Sequence, residues 1–191
     1  MPLTTSDGHT LDADIDLPET GCVGGVVVCH PHPQYGGDRF NPVVDAVFRR
    51  LPAAGFAALR FDFRAEFGGG TAERLDVVAA VDELQRRVDG RLFVVGYSFG
   101  AAVALATGDP RIRGIVAVAP PLAVMPVEAP SVPTLVLVPR HDQFTPPDAA
   151  REAVEGWPNV DLRTIESVDH FLVGRSGDVA ESVADWLATQ R

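Results

Sequence analysis

Residues 91–108, R-L-F-V-V-G-Y-S-F-G-A-A-V-A-L-A-T-G, place a serine between two runs of opposite structural preference. Residues 91–95 are mostly apolar and end in two valines, which predicts a buried strand, whereas residues 99–107 are rich in Ala, Val and Leu, which predicts a helix. Ser98 therefore lies at the turn between them, with a glycine two positions away on each side. A G-x-S-x-G pattern at a strand-to-helix turn is typical of a nucleophile elbow, which exposes the serine hydroxyl.

Composition and charge exclude several classes of partner. The 191 residues are enough for one domain with a full core, and we predict a single domain over residues 1–191. With 16 basic and 26 acidic side chains the formal net charge is −10, which argues against binding to nucleic acid or to an anionic membrane. The two cysteines, the polar start of the chain and the lack of a long apolar run indicate a cytoplasmic protein. We expect a small-molecule substrate, and a monomer or a homodimer.

Apolar strand-like runs alternate with amphipathic helical patterns along the rest of the chain. Further strands are predicted at residues 10–17, 25–29, 57–63, 115–119, 134–138 and 160–165, and further helices at residues 42–54, 71–88, 147–155 and 178–189. This alternation predicts an α/β fold with a mostly parallel central sheet and helices on both faces. Functional side chains are then expected where the strands end, at their carboxyl ends.

A reactive serine needs a base and a group that orients the base, and the chain offers both after later strands. His170 follows the strand at 160–165, and Asp142 follows the strand at 134–138. Asp169 is a weaker candidate for the acid, because adjacent side chains in an extended loop point apart. The structural alternatives are a surface-loop histidine and an aspartate that serves only a turn or a helix cap.

Three motifs together resemble the α/β-hydrolase superfamily, and in particular its small dienelactone-hydrolase and esterase-like branch. They are G-Y-S-F-G at 96–100, D-Q-F-T-P at 142–146 and H-F at 170–171, in the chain order Ser, Asp, His that is typical of this superfamily. The resemblance covers residues from about 26 to the C-terminus. It implies an α/β-hydrolase fold, a triad of Ser98, His170 and Asp142, acyl-transfer chemistry and no cofactor. Only the proline-rich residues 120–133 stand where relatives insert a helical cap, so no cap domain is expected.

The resemblance also implies an oxyanion hole, a pair of backbone amides that bind a developing negative charge. One amide is that of Phe99, directly after the serine. The second comes from the loop C-H-P-H-P-Q-Y-G-G at 29–37, in which the prolines cannot donate. This leaves His32 or Gln34, of which we favour His32, and Tyr35 is a further candidate for contact with the substrate.

Two other features of the sequence leave alternatives open. His30 and His32 could together bind a metal ion, although we favour a structural role for His30, because no carboxylate with ligand spacing accompanies the pair. The stretch F-D-F-R-A-E-F-G-G-G at 61–70 resembles a family segment but has Ala65 where glycine is common, and it is expected to be flexible. Leu122, Val124 and Met125 either line a substrate pocket or pack in the core.

The sequence therefore predicts a serine hydrolase that cleaves a small carboxylic ester, thioester or lactone. A peptidase or amidase of the same fold is one alternative. A non-catalytic binding protein with this fold is another, because the presence of the three residue types does not by itself establish their geometry.

Overall fold

The computed structural model of the protein describes residues 1–190 and contains an eight-stranded, mostly parallel sheet. The strands are β1 (Pro2–Thr4), β2 (Thr10–Asp16), β3 (Gly24–Cys29), β4 (Phe56–Phe61), β5 (Arg91–Tyr97), β6 (Ile112–Val118), β7 (Thr134–His141) and β8 (Val160–Asp169). The helices are α1 (Pro42–Arg50), α2 (Glu73–Arg87), α3 (Phe99–Ala106), α4 (Pro147–Ala153) and α5 (Ser176–Thr189). Short 3-10 helices at Pro33–Tyr35 and Pro52–Ala54 complete the regular structure.

The strand order is β1-β2-β4-β3-β5-β6-β7-β8. Strands β1 and β2 form an antiparallel hairpin, and β2 pairs antiparallel with β4, whereas all pairs from β4 to β8 are parallel. Every residue of β3 and β4 is buried, as expected for parallel strands that are covered on both faces. Helices α1 and α5 pack on one face of the sheet, and α2, α3 and α4 pack on the other.

The α/β fold with a mostly parallel sheet that the sequence predicts is confirmed, with differences at the ends of some elements. Strand β1 was not predicted, because three residues are too few to show a pattern. Helix α1 ends at Arg50 rather than at residue 54, and a 3-10 turn that starts at Pro52 follows it. Proline lacks the amide that would continue the helix. Residues 119–133 contain no helix, so the fold has no cap. None of the helices described in residues 1–190 is long and apolar enough to span a bilayer.

The turn at Ser98 depends on two close backbone contacts. Ser98 itself has φ 53° and ψ −118°, a conformation that non-glycine residues rarely adopt. A Cβ atom on Gly96 would lie 2.2 Å from the carbonyl oxygen of Gly100, and a Cβ atom on Gly100 would lie 2.5 Å from the carbonyl oxygen of His30. The two glycines of the motif are therefore required because β5, α3 and the end of β3 approach too closely for any side chain.

The loop between β4 and α2 is fixed by buried charged groups rather than flexible. The carboxylate of Glu73, which is fully buried, accepts hydrogen bonds from the amides of Gly68 at 2.7 Å and Gly70 at 2.8 Å. Arg64 donates from Nη2 to Asp76 at 2.7 Å and from Nη1 to Asp7 at 2.7 Å. The hydrogen bond from Arg64 is the main cause that lowers the pKa of Asp7. We call residues 65–71 the glycine loop.

The contact at Gly100 predicts a strong asymmetry between two glycine-to-alanine variants. Gly100→Ala is expected to lower the free energy of unfolding by at least about 1–3 kcal/mol, because the new methyl group meets backbone that cannot move aside. Gly177→Ala, in the first turn of α5 with open space around its Cβ position, is expected to raise it by about 0.4–1 kcal/mol. Urea unfolding followed by circular dichroism measures both, and equal midpoints for the two variants would refute the packing argument.

A second prediction concerns the carboxylate that holds the glycine loop. Glu73→Gln keeps the side-chain shape but replaces one acceptor oxygen with an NH₂ group that faces a backbone amide, so we expect a loss of about 1–3 kcal/mol of stability. Glu66→Gln, an exposed substitution in the same loop, is expected to change stability by less than about 0.5 kcal/mol. Thermal and urea unfolding of the two variants make the comparison. Equal stabilities would mean that the Glu73 hydrogen bonds do not hold the loop.

Candidate active site

A chain of hydrogen bonds connects three side chains at the carboxyl ends of β5, β7 and β8. The hydroxyl oxygen of Ser98 lies 2.8 Å from Nε2 of His170, and Nδ1 of His170 lies 2.8 Å from Oδ2 of Asp142. A carboxylate can only accept, so Nδ1 carries the proton and Nε2 is free to accept the hydroxyl hydrogen of Ser98. Strand order along the parallel sheet brings together three residues that are 28 to 72 positions apart in the chain.

Asp142 is held in place by the turn that follows β7. Its second oxygen accepts hydrogen bonds from the backbone amides of Phe144 at 2.8 Å and Thr145 at 2.9 Å, and the residue is 3% exposed. Asp169 instead accepts from the amide of Phe171 at 3.0 Å and lies at the surface. The structure therefore brings Asp142 rather than Asp169 to the imidazole of His170.

The backbone of His170 is held by two side chains that the sequence did not single out. The hydroxyl of Tyr97 donates to the carbonyl oxygen of His170 at 2.9 Å, and the amide of His170 donates to the side-chain oxygen of Gln143 at 3.3 Å. Burial raises the pKa of Tyr97, so its hydroxyl stays protonated and remains a donor at neutral pH. Tyr97 is the variable position of the G-x-S pattern, and only the fold shows that it faces His170.

His30 has a structural position beneath the site. It is 1% exposed, its Nδ1 donates to the carbonyl oxygen of Pro31 at 2.6 Å, and its Nε2 accepts from the amide of Phe63 at 2.9 Å. Burial lowers the pKa of His30, which keeps the ring neutral. Both ring nitrogens are therefore engaged in protein hydrogen bonds, and His30 ties the loop after β3 to the end of β4. Over residues 1–190 the structure contains no group of three or more His, Cys, Asp or Glu side chains arranged to hold a metal ion.

Two residues near Ser98 have unused backbone amides: Phe99, which follows it directly, and His32, which lines the same cleft. Neither amide has a protein acceptor within the described part of the chain, whereas the amide of Gln34 donates to Nδ1 of His32 at 3.2 Å. The His32 ring lies 4.8 Å from the Phe99 ring and 4.6 Å from the ring of Phe67 in the glycine loop, measured between ring centroids. Burial is the main cause that lowers the pKa of His32, so this ring is also neutral at pH 7.

The glycine loop contacts the residues beside the site. The Phe67 ring lies 5.8 Å from the Phe99 ring as well as against His32. The hydrogen bonds of Glu73 to the glycine loop thus support the two residues whose amides are unused. The signal that could have indicated this is the spacing of Glu73, three residues after the run of glycines and at the start of a predicted helix.

A cleft of about 500 Å³ opens beside Ser98. One wall is the loop after β3, and the other contains His170 and aromatic side chains; the wall residues include Tyr35, Gly37, Asn41, Tyr97, Phe144 and Phe171. Tyr35 is 88% exposed at the mouth of the cleft. Gln34 is not among the residues that line it.

The proline-rich segment does not contribute to this cleft. Leu122 is buried in the core, as the second of the two interpretations of this segment predicted. Met125 is partly buried and also packs against the core. Together with Val124 it lines a separate cavity of about 340 Å³ between the glycine loop and α3. The walls of the cleft come instead from the loops after β3, β7 and β8 and from Tyr97 and Ser98 at the end of β5.

Comparisons with known proteins agree with this fold. A model of the alpha/beta hydrolase family matches residues 26–133. The uncharacterized protein RP471 of Rickettsia prowazekii is 29% identical over 185 positions, which cover 85% of this chain and 78% of that protein. Among solved structures, XC6422 from Xanthomonas campestris, an α/β serine hydrolase without a lid, is 28% identical with a TM-score of 0.82, and the match covers 97% of this chain and 93% of that one.

A second solved structure gives a similar result at lower identity. An alpha-beta serine hydrolase homologue from Coxiella burnetii is 23% identical with a TM-score of 0.88, and the match covers 98% of this chain and 96% of the other. The resemblance inferred from the three motifs is thus confirmed at the level of the superfamily. Since the family model spans more than half of the residues, from the middle of β3 to the start of β7, this protein belongs to the alpha/beta hydrolase family.

Proposed function

We propose that the protein is a serine hydrolase that cleaves small carboxylic esters, including thioesters and lactones, through an acyl-enzyme. The observation that carries the proposal is the continuous hydrogen-bond chain from the Ser98 hydroxyl through His170 to Asp142, with 2.8 Å at each step. This geometry is the one that activates a serine as a nucleophile, because the base is in reach of the hydroxyl and is itself held in the required tautomer.

The reaction proceeds in two steps, acylation of Ser98 and hydrolysis of the acyl-enzyme. In the first, Ser98 Oγ bonds to the carbonyl carbon and its proton passes to Nε2 of His170, while the carbonyl π electrons move to the oxygen. Their return breaks the bond to the leaving oxygen, or to sulfur in a thioester, and that atom takes the proton from His170. The alcohol or thiol then departs, except in a lactone, where the new hydroxyl stays on the acyl chain. In the second, a water molecule attacks the acyl-Ser98 ester with His170 as the base, the carboxylic acid is released, and the proton returns to Ser98.

The unused amides of His32 and Phe99 are the donors that we assign to the oxyanion. Phe99 begins α3, where the helix dipole also favours negative charge. Loss of one such donor typically costs about 2.7–4 kcal/mol of transition-state stabilisation. The amide of Gln34 already donates to the His32 ring, so it is not free to serve as the second donor. Tyr35, at the open end of the cleft, is assigned to contact with the substrate.

Covalent labelling tests the nucleophile directly. A fluorophosphonate should add one adduct per chain to the native protein, measured as intact mass, and none to Ser98→Ala. A native protein that is folded by circular dichroism and gains no adduct would contradict the proposal and favour a binding protein with this fold.

The acid that orients His170 is tested by a matched pair of variants. Asp142→Asn should lower kcat for a small ester by about 10³- to 10⁴-fold, because the amide no longer holds Nδ1 protonated. Asp169→Asn, the neighbouring exposed aspartate, should change kcat by less than about threefold, since surface substitutions are usually near neutral. Initial rates at a fixed pH measure both, and equal losses in the two variants would contradict the assignment.

A further inference from the structure

We propose that the end of the cleft beside His170 is the leaving-group subsite, and that it selects esters of uncharged alcohols carrying an apolar ring. This inference rests on the proposed hydrolase function. It goes beyond that function because it names the kind of leaving group that the enzyme prefers. Phe144 and Phe171 are the residues that would set the choice.

The proton transfer from His170 determines which part of a substrate lies at the end of the cleft beside this residue. The leaving oxygen must come within hydrogen-bond distance of Nε2 of His170 to receive its proton. The carbonyl oxygen is meanwhile turned toward the amides of His32 and Phe99. The group attached to the leaving oxygen therefore contacts the side chains that surround the imidazole on the wall of the cleft.

Those side chains are aromatic and partly exposed. The Phe144 ring lies 4.5 Å and the Phe171 ring 5.8 Å from the His170 ring between centroids, at interplanar angles of 62° and 89°. Phe144 is 44% exposed and Phe171 is 58% exposed, and both line the cleft. An apolar ring placed against them would be removed from water together with part of each phenylalanine, and aromatic pairs add a further geometric preference.

The lack of charged side chains in the cleft argues against leaving groups that carry a negative charge. Among the described residues that line it there is no Asp, Glu, Lys or Arg, and the histidines His32 and His170 are the only titratable bases. A phosphate or carboxylate on the leaving group would find no cationic side chain there, and the net charge of −10 would repel it at longer range. Thioesters of thiols that carry phosphate groups are therefore expected to be poor substrates.

Three esters with one acyl group isolate the leaving-group subsite. Methyl butyrate, benzyl butyrate and 4-carboxybenzyl butyrate all form the same butyryl-enzyme, so deacylation is common to the three, and kcat/KM compares acylation. We expect kcat/KM for the benzyl ester to exceed that for the methyl ester by about tenfold or more. The carboxybenzyl ester should lose most of this advantage, because its charge has no partner in the cleft.

Variants then assign the preference to the two phenylalanines. Phe144→Ala and Phe171→Ala should each reduce the benzyl-to-methyl ratio of kcat/KM by about fivefold or more. The ratio is used because Phe144 also packs on His170, and any disturbance of the base lowers both rates together. Val173→Ala is the matched control, since Val173 is apolar, 81% exposed and close in sequence but does not line the cleft.

The outcomes separate this inference from the function on which it rests. If the native protein turns over the methyl ester at Ser98 and the ratio is unchanged in both phenylalanine variants, the leaving-group subsite is refuted and the hydrolase function stands. A carboxybenzyl ester that is cleaved as fast as the benzyl ester would refute the charge argument. Absence of turnover for all three esters and of the fluorophosphonate adduct would refute the hydrolase function itself.

Discussion

The close approach of three backbone segments at Gly96 and Gly100 is the constraint on which the rest of the site depends. The carbonyl oxygen of His30, at the end of β3, would lie 2.5 Å from any Cβ atom on Gly100. This contact brings the end of β3 to the first turn of α3, which begins at Phe99 directly after Ser98, and His32 and Ser98 line the same cleft. The strained backbone of Ser98 is supported by its amide, which donates to the carbonyl oxygen of Val118 at 2.9 Å.

The parallel sheet places the other two residues of the hydrogen-bond chain, Asp142 and His170, near Ser98. Asp142 follows β7 directly and His170 follows β8 directly, and these neighbouring strands end at the same edge of the sheet. The carboxylate of Asp142 is fixed by backbone amides of its own turn. The imidazole of His170 is held by Asp142, and the backbone of His170 is held by Tyr97 and Gln143. The register shift between Pro139 and His141 in the β7–β8 pair lies immediately before Asp142, where the ladder gives way to the turn.

Periodicity predicted the mostly parallel sheet apart from β1. The resemblance carried by the three motifs implied the set of Ser98, Asp142 and His170 and the absence of a cap. Neither could indicate Tyr97 or Phe144, because the contacts of these side chains with His170 join segments that are distant in the chain and become adjacent only in the fold. The glycine loop shows the same limit. Its glycines suggested flexibility, yet the buried carboxylate of Glu73 accepts from two of its amides. The spacing of Glu73 from the glycines is a signal for this contact, but the amphipathic pattern of the helix does not show that the acid is buried.

The positions of the charged side chains affect how the charge of a transition state can be stabilised in the cleft. The buried ion pair of Arg64 with Asp76 involves the residue directly before the glycine loop. Among the described residues that line the cleft there is no Asp, Glu, Lys or Arg. The negative charge that develops on the carbonyl oxygen of a substrate would therefore be met by the two backbone amides rather than by a cation. Fixed amides of this kind stabilise the transition state because they do not have to reorient during the reaction. No charged side chain in the wall of the cleft competes with them for the developing negative charge. In the proposed reaction, the same absence of charged side chains would favour an apolar, uncharged leaving group.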